Sequence, residues 1–387
     1  MRISVIGQGY VGYALAMAAT KAGHNVIGFD TKANVISGIK EKNKSVNYLP
    51  TNNEADIKNQ DIYIIAVPTP LDQNNLPDLS FLRQASTLIA RSASSGALII
   101  NESTSYPGTL REVVIFEIET INKSKFLYAA APERSDPANA QWSIKNTPRV
   151  IAGVDEESTK LALMFYKSIC DEVVIVRSPE VAESAKLFEN TFRQVNIALV
   201  NELAQISEKL GISANEVIQA ASTKPFGFMK FNPGLGVGGH CIPIDPIYLA
   251  DKAESLGASA RFIRQANSIN QQMPDYVLDR IRAFLEGSLI GKRICIVGIS
   301  YKANVADLRE SPSLLLWEKL LKSGAKVFFH DEIVKEYNGG ESTALAPNSF
   351  DLVLVAVFHN NLDIEKLKKS APIIFDCTGN VLGAHHL

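Results

Sequence analysis

The sequence is poor in the features that mark several protein classes. It has four cysteines in 387 residues, too far apart for a disulfide framework or a zinc site, so we expect no bound metal. Its 39 basic and 41 acidic residues give a formal charge of −2 without a basic block, which argues against a nucleic-acid or anionic-membrane partner. No apolar run reaches membrane-spanning length, and the start lacks a signal-peptide layout. These absences favour a cytoplasmic protein that binds neither nucleic acid nor membrane.

A dinucleotide-binding fingerprint stands at the start of the chain. Residues 2–6 predict a strand, a glycine-rich turn and a helix follow, and a second strand ends in Asp30. The glycines permit a tight turn and close approach of a pyrophosphate, while an acid at that point accepts ribose hydroxyls and disfavours a ribose phosphate. The pattern predicts NAD rather than NADP, with a glycine turn in another kind of α/β unit as the alternative. The predicted cofactor-binding residues of this segment are Gly7, Gly9, Val11, Gly12 and Asp30.

Three further predicted strands each end in a polar cluster. The strands are residues 61–67, 96–101 and 125–131, and the clusters are Pro68-Thr69-Pro70, residues 102–109 and Pro132-Glu133-Arg134. Open α/β sheets bind ligands at the carboxyl ends of their strands, so the clusters predict one ligand site, with ordinary helix capping as the alternative. Residues 34–60 are polar and broken, and they predict a loop with at most one short helix.

A long amphipathic helix is predicted from Pro179 to about Leu210. It is longer than one small core needs and has apolar residues on more than one face, which predicts a homodimer or higher oligomer through this helix. Lys186 and Asn190 are four residues apart and therefore share a face. Together they could hold a water or an oxyanion, and a solvated helix face is the alternative.

The run from Phe231 to Asp245 combines four glycines with a candidate nucleophile. Glycine leaves the backbone free to approach a ligand closely, so the run predicts a ligand-cradling loop. Cys241 follows the glycines, and Asp245 lies one helical turn further on. A cysteine at a helix N-terminus is favoured as a thiolate, which attacks aldehydes, so Cys241 is a candidate activated thiol. The alternative is a glycine turn followed by a buried cysteine; we expect Cys170, Cys295 and Cys377 to be core residues.

From Gly291 onward the strand and helix pattern restarts without the three-glycine fingerprint. A composition of 46% hydrophobic and 21% charged residues is typical of a globular protein. A length of 387 residues predicts two or three domains. We predict an α/β protein with two Rossmann-like, doubly wound parallel-sheet domains joined by a helical segment that contains the long central helix. The predicted boundaries are 1–178 for the NAD-binding domain, 179–286 for the helical domain with the cysteine loop, and 287–387 for the C-terminal domain.

With these motifs in view, the whole chain resembles the UDP-glucose/GDP-mannose family of nucleotide-sugar 6-dehydrogenases. The resemblance is carried by Gly7-x-Gly9-x-x-Gly12, Val67-Pro-Thr-Pro70, Glu102-Ser-Thr104, Pro132-Glu133, Lys186 with Asn190, Gly238-Gly-His-Cys241 with Asp245, and Lys302 through Arg309-Glu-Ser-Pro312. Within the family, residues 102–109, 132–134 and 238–246 look most like the UDP-N-acetylhexosamine branch, particularly the UDP-N-acetylglucosamine enzymes.

The resemblance implies a four-electron, NAD-dependent oxidation of the sugar's 6-hydroxymethyl group to a carboxylate through a thiohemiacetal and a thioester on the cysteine. It implies C-terminal binding of the UDP-sugar and a place in polysaccharide biosynthesis. The implied catalytic residues are Cys241, Lys186, Asn190, Asp245, Glu133 and Thr104. The implied further cofactor contacts are Pro68, Thr69 and Thr104. The implied substrate contacts are Glu133, Arg134, Lys186, Asn190, Phe231, Asn232, Gly234, Gly238, His240 and Lys302.

Several alternatives remain at this stage. UDP-N-acetylglucosamine is the expected substrate, with UDP-N-acetylmannosamine or UDP-glucose as the alternatives within the family. A 3-hydroxyacid dehydrogenase would share the glycine-rich domain and the long helix but would perform one two-electron oxidation without a nucleophilic cysteine. A non-catalytic nucleotide-sugar-binding protein would keep the fold without needing Cys241, Lys186 and Asn190 together. The number of NADH formed per substrate, two, one or zero, separates these classes.

Overall fold

Short strands and helices alternate through the first part of the chain. The computed structural model describes residues 1–73, 76–134 and 141–387. The first eight strands are β1 (Arg2–Ile6), β2 (Asn25–Phe29), β3 (Tyr48–Thr51), β4 (Ile62–Ile65), β5 (Leu98–Asn101), β6 (Leu127–Ala130), β7 (Arg149–Gly153) and β8 (Val173–Ile175). The helices among them are α1 (Tyr10–Lys21), α2 (Ala33–Lys42), α3 (Ser80–Ser92), α4 (Phe116–Ile121), which continues a π-helical stretch (Leu110–Ile115), and α5 (Glu156–Ile169), with a 3-10 turn at Glu54–Ile57.

These strands form one sheet in the order β3-β2-β1-β4-β5-β6-β7-β8. Neighbouring strands are parallel except for the β6–β7 pair, which is antiparallel. Strands β4, β5 and β6 are buried along their whole length, which explains why they read as continuous apolar runs. The strand order reverses between β1 and β4, and in doubly wound sheets that point is where ligands bind.

The prediction of a loop with one short helix between residues 34 and 60 is wrong in part. The helix is α2, but the segment also contains the strand β3 and the 3-10 turn. Strand β3 is at the edge of the sheet, with Pro50 opposite Gly28 of β2. A proline cannot donate to a sheet ladder and is tolerated on an edge strand, so its presence hid the strand from the sequence reading.

The long helix α6 spans Pro179–Leu210, as the sequence predicted. It begins with a proline, which suits the first turn of a helix, and Gly211 follows its end with a φ of +69°. The remaining helices are α7 (Ala214–Ser222), α8 (Asp245–Ser255), α9 (Arg261–Phe284), α10 (Pro312–Lys322) and α11 (Ile364–Ser370).

The C-terminal region contains a second parallel sheet, which confirms the predicted second α/β unit. Its order is β10-β9-β13-β14-β15, and a small antiparallel hairpin, β11 with β12, stands apart from it. The strands are β9 (Arg293–Val297), β10 (Lys326–His330), β11 (Glu336–Tyr337), β12 (Gly340–Glu341), β13 (Leu352–Val355), β14 (Ile373–Asp376) and β15 (His385–His386).

The contacts within the chain divide it into two compact units. The first comprises Met1–Glu189 with Ile247–Ala258, and the second comprises Asn190–Pro246 with Ser259–Leu387. Each unit has its own buried apolar clusters. The three domain boundaries read from the sequence stay predictions. In the part of the chain that the structure describes, no helix is both long and apolar enough to cross a bilayer.

Candidate active site

The turn between β1 and α1 is built from close backbone contacts that only glycine allows. Gly7 has a φ of +93°, and a Cβ there would lie 2.4 Å from the Ala66 carbonyl oxygen. A Cβ at Gly12 would lie 1.9 Å from the Gly7 carbonyl oxygen. Gly9, by contrast, faces open space and is the N-cap of α1, so the first amides of this helix have no capping side chain from that residue. Such an uncapped helix N-terminus suits the pyrophosphate of a dinucleotide.

Asp30 is tied to this turn. One of its carboxylate oxygens accepts the Gln8 backbone N–H at 2.9 Å, and the other accepts the Lys32 backbone N–H at 2.9 Å. Gln8 is itself buried, donating to the Val5 carbonyl and accepting from the Tyr48 hydroxyl. The acid at the end of β2 is therefore held beside the glycine turn, with lone pairs left for ribose hydroxyls. These residues fit an NAD molecule.

The polar segments after β4 and β5 are joined by hydrogen bonds. The Ser103 hydroxyl accepts from the Val67 backbone N–H and donates to the Val67 carbonyl, both at 2.9 Å. The Thr69 hydroxyl donates to the Thr104 carbonyl at 2.7 Å. The structure thus brings Thr69 together with Thr104, and Pro68 lies between Val67 and Thr69. The clustering of these segments at one sheet edge follows from the parallel pairing of β4 with β5.

Glu133 is buried after β6 and lies in an ionic cluster that the sequence reading missed. Its carboxylate pairs with the guanidinium of Arg149, which also reaches Glu102 at 3.5 Å. The Tyr166 hydroxyl donates to the other oxygen of Glu102. The sequence feature that could have indicated this cluster is Arg149, a cation at the start of the otherwise apolar run Arg-Val-Ile-Ala-Gly.

Arg134, a predicted substrate contact, is already engaged in the first unit. Its guanidinium pairs with Glu189 at 2.7 Å and donates to the Pro148 carbonyl at 2.8 Å. The predicted role of Arg134 as a substrate contact therefore requires that its guanidinium share its N–H donors with the substrate or change partner.

Lys186, which the sequence predicts to be a catalytic residue, is half-buried on α6, one turn before Asn190.

In the second unit, Asn190 and Asp245 are in direct contact. The Asn190 amide donates to the Asp245 carboxylate at 2.6 Å, and both side chains are buried. The Asp245 backbone N–H donates to the Cys241 carbonyl at 2.8 Å, which places the exposed Cys241 one turn before α8. The other three cysteines are buried, as predicted. An amide-bound carboxylate one turn from a thiol is suited to holding a water or moving a proton.

Three glycines of the loop that the sequence predicts to cradle a ligand lie close to other atoms of the protein. A Cβ at Gly239, where φ is +81°, would lie 2.7 Å from the ring of Tyr301, and one at Gly238 would lie 2.6 Å from the Glu310 carbonyl oxygen. Gly236 is similarly close to the Asn270 carbonyl of α9, at 2.8 Å. That carbonyl precedes Pro274 by four residues, and proline has no N–H to donate to it. These glycines are therefore needed for packing within the second unit, whereas Gly234 faces open space.

Two buried asparagines that the sequence reading also missed hold this loop. The Asn201 side chain accepts the Gly234 backbone N–H at 2.9 Å and donates to the Asn270 side chain at 2.9 Å. Phe231 is half-buried with its ring 6.0 Å from that of Phe192, while Asn232 is exposed. The loop is thus anchored to α6 and α9.

His240 is half-buried beside Cys241. Burial, followed by the charge of Arg309, lowers the pKa of its imidazole, so the ring is neutral near pH 7. Within the residues that the structure describes, its Nδ1 has no hydrogen-bond partner. A neutral imidazole with one such nitrogen can form a hydrogen bond with a substrate amide or hydroxyl.

The start of the C-terminal sheet repeats the geometry of the first turn. Gly298 follows β9 with a φ of +80°, and Asp331, directly after β10, accepts the Ile299 backbone N–H at 2.9 Å. Burial alone would raise the pKa of Asp331, but hydrogen bonds from His359 and three backbone amides lower it to about 2. Lys302, a predicted substrate contact, is half-buried four residues beyond Gly298. Open α/β sheets bind ligands at the carboxyl ends of their strands, so this turn is a candidate nucleotide contact.

Three family models match the chain in succession. The UDP-glucose/GDP-mannose dehydrogenase family NAD binding domain matches residues 1–49 and 40–170, its central domain matches 180–272, and its UDP binding domain matches 295–383. The C-terminal turn and the glycine fingerprint both fall within these matches.

Relatives of similar length match nearly the whole chain. The UDP-N-acetyl-D-mannosamine dehydrogenase of Methanocaldococcus jannaschii is 35% identical over 98% of the chain and 92% of that protein. The UDP-N-acetyl-D-glucosamine 6-dehydrogenase of Pseudomonas aeruginosa is 31% identical over 97% of the chain and 96% of that protein. The structure of the UDP-D-ManNAc dehydrogenase from Pyrococcus horikoshii superposes with a TM-score of 0.91 at 31% identity, covering 100% of this chain and 98% of that one.

The turn geometry predicts the effect of substitutions at Asp30. Asp30→Ala should weaken NAD binding about tenfold or more and reduce the preference over NADP, because the carboxylate both accepts ribose hydroxyls and repels a phosphate. Asp30→Asn is the matched control, since its amide oxygen can still accept the Gln8 N–H, while it loses the charge and the acceptor for the Lys32 N–H. Dissociation constants for both cofactors, measured by calorimetry, test this; an unchanged preference in both variants would mean that Asp30 does not face the ribose.

Proposed function

The chain belongs to the UDP-glucose/GDP-mannose dehydrogenase family and is an NAD-dependent nucleotide-sugar 6-dehydrogenase, and we propose that its substrate is UDP-N-acetylglucosamine. The observation that carries the choice of an acetamido sugar is the neutral, half-buried His240 next to Cys241, whose Nδ1 has no hydrogen-bond partner among the described residues. The named relatives of both kinds act on acetamido sugars, which supports the same class. Family membership leaves the 3-hydroxyacid dehydrogenase and the non-catalytic binding protein without support.

UDP-N-acetylmannosamine is the second candidate. It is favoured by the higher identity of the mannosamine enzyme, 35% against 31% for the glucosamine enzyme, and by the TM-score of 0.91 to another mannosamine enzyme. The two sugars differ at one stereocentre, whose recognition depends on pocket shape rather than on a motif.

The proposed mechanism assigns the covalent step to Cys241. NAD supplies a hydride acceptor for each of the two oxidations. After the first, the 6-hydroxyl has lost a proton and C6 has become an aldehyde, and the Cys241 thiolate adds to it to form a thiohemiacetal. The second oxidation of that carbon gives a thioester, and a water molecule then attacks it, releasing the carboxylate and the thiolate. The aldehyde stays bound throughout.

The remaining side chains act on charge and protons in this scheme. Lys186 and Asn190 stabilise the oxyanion that develops when the thiolate adds. Asp245, held by Asn190, and Glu133 position water and move protons, with Thr104 contacting both cofactor and water. The proposed UDP contacts are Lys302 and the glycine loop.

We also propose that the enzyme is a homodimer through α6. Phe188, Phe192, Leu199 and Ile206 are all exposed on this helix. Their spacings of four, seven and seven residues place them along one stripe, which is the spacing of a helix-to-helix seam. A second copy of the chain would cover this apolar stripe.

A panel of UDP-sugars tests the substrate. UDP-N-acetylglucosamine should have a kcat/KM about a thousandfold above that of UDP-glucose, because a site built to hydrogen-bond an acetamido group rejects an analogue that lacks it. The measurement is NADH formation with each sugar, and two NADH per substrate are expected. An equal or higher kcat/KM for UDP-glucose would overturn the acetamido assignment, and turnover of UDP-N-acetylmannosamine alone would transfer it to the second candidate.

The covalent step is tested by Cys241→Ser. Binding of NAD and UDP-sugar should persist, while net turnover should fall about a thousandfold or more, because a serine hydroxyl is a much weaker nucleophile than a thiolate. Calorimetry for binding and steady-state NADH formation check the two parts. A variant that turns over at the wild-type rate would rule out the thioester route.

The dimer is tested by placing charge in the apolar stripe. The double variant Leu199→Glu, Ile206→Glu should sediment as a monomer at micromolar concentration, whereas the wild type should sediment as a dimer. Leu382→Glu is the matched control, because Leu382 is also exposed but lies in the C-terminal region. A monomeric wild type, or an unchanged dimer in the double variant, would contradict the proposal.

A further inference from the structure

Two buried carboxylates share one buried guanidinium in the first unit. The side chains of Arg149, Glu102 and Glu133 are 2%, 0% and 6% exposed. Arg149 uses Nη1 for Glu102, at 3.5 Å, and Nη2 for Glu133, which is the closer pair. If all three groups were ionised, the cluster would carry one uncompensated negative charge.

The sheet topology explains why Arg149 lies at the ligand-binding edge. Glu102 directly follows β5, and Glu133 follows β6, so both are at the carboxyl ends of parallel strands. Strand β7 runs antiparallel to β6, so its first residue, Arg149, lies at this same edge. An antiparallel strand thus delivers a cation to the place where parallel strands deliver acids.

The other groups that contact Arg149 and Glu102 in the described part of the chain are uncharged. The Tyr166 hydroxyl donates to Glu102, and the Tyr166 ring lies 5.4 Å from the guanidinium. Cys170, directly after α5, is also close, and burial raises the pKa of its thiol. The Ala131 and Pro132 carbonyls accept from Arg149 at 3.4 Å.

Arg134 follows Glu133 in the chain, but its guanidinium pairs with a different carboxylate. The Arg134 backbone N–H donates to the Glu133 carboxylate at 2.8 Å, whereas its guanidinium pairs with Glu189. Arg149 contacts both Glu133 and Glu102, so the two carboxylates compete for one guanidinium.

This competition depends on pH. Burial raises the pKa of Glu102 to about 7, with the charge of Glu133 acting in the same direction and Arg149 opposing both. When Glu102 is protonated, Arg149 faces Glu133 as the only negative partner, which favours ionised Glu133. When Glu102 is ionised, the guanidinium is shared and Glu133 is held less strongly.

We propose that Arg149 and Glu102 are positioning residues for Glu133: Arg149 holds the Glu133 carboxylate ionised and fixed at the sheet edge, and the protonation of Glu102 sets how much of that charge Glu133 receives. The inference rests on the proposed function, in which Glu133 acts on water and protons. Neither positioning residue needs to touch the substrate. A purely structural ion pair, by contrast, would not influence the pH dependence of the reaction.

The test is the pH profile of kcat/KM in three variants. Because Glu102 ionises at about pH 7, its charge competes for Arg149 only on the basic side of that pH, and the wild-type kcat/KM should decline there. Glu102→Gln removes the competing charge at nearly constant size, so this decline should be absent. Tyr166→Phe removes a donor that favours ionised Glu102, so it should move the midpoint of the decline to higher pH. Arg149→Lys keeps the charge but loses the two-pronged geometry, so it should lower kcat more than it changes KM on both sides of pH 7.

Glu183→Gln is the matched control. Glu183 is a buried carboxylate in the same unit, and burial raises its pKa to about 8, but it accepts from the Gly108 and Leu110 backbone amides and is not part of this cluster. It should leave the midpoint of the decline near pH 7 where it is in the wild type, even if stability changes.

Thermal unfolding gives a readout that does not depend on turnover. The folded-state pKa of Glu102, about 7, lies above its ordinary value of 4.5, so the folded protein holds a proton that the unfolded chain releases. The associated stability is complete below pH 4.5 and is lost as the pH rises to about 7. The unfolding midpoint of the wild type should therefore fall relative to that of Glu102→Gln across this window.

The possible results distinguish a failure of the positioning role from a failure of the proposed dehydrogenase function. A decline near pH 7 that is lost in Glu102→Gln and moves to higher pH in Tyr166→Phe, but is unchanged in the control, supports the inference together with the thermal difference. An active wild type whose pH profile is the same in Glu102→Gln and Tyr166→Phe overturns it and leaves the cluster a structural ion pair. A wild type that forms no NADH with any UDP-sugar overturns the proposed function, and the positioning role falls with it.

Discussion

The complete burial of the central parallel strands constrains where charged groups can lie in the first unit. Strands β4, β5 and β6 have no exposed residue, so a charged side chain within them would lack water and partners. The charged residues near these strands accordingly come after the strands end. Parallel strands end at one edge, and this is why Thr69, Thr104 and Glu133 follow neighbouring strands at the same side of the sheet.

The reversed direction of β7 adds what that arrangement lacks. Glu102 and Glu133 are both buried at this edge, and a buried carboxylate is costly without a partner. Because β7 is antiparallel to β6, its first residue arrives at the edge from the opposite direction, and that residue is Arg149. Glu102 and Glu133 are thereby buried without leaving both charges uncompensated. The exception to the parallel pattern is thus directly connected to a candidate functional residue.

In the second unit, the main structural constraint is that a glycine-rich loop must be held in one conformation. Glycine is the most flexible residue, and a loop with four glycines would be costly to order without fixed contacts. Here the ring of Tyr301 and the Glu310 carbonyl fill the space that side chains would occupy at Gly238 and Gly239. Buried Asn201 binds the backbone of the loop at Gly234. Cys241 follows a segment that is fixed by packing, and Asp245 is fixed by Asn190.

The sequence by itself determined the elements whose signals are local. The glycine turn with Asp30, the helix from Pro179 to Leu210 and the restart of the α/β pattern after Gly291 all depend on residues close together in the chain, and the structure contains each of them. Only the tertiary structure decided which distant residues meet. Arg-Val-Ile-Ala-Gly reads as a strand in either direction, so nothing in it indicates that Arg149 will face Glu133. Nor does the spacing of glycines indicate that Tyr301, more than sixty residues away, will pack against Gly239. Periodicity encodes which face of an element is buried, whereas strand order and direction, which set these long-range contacts, arise from the packing of the whole unit.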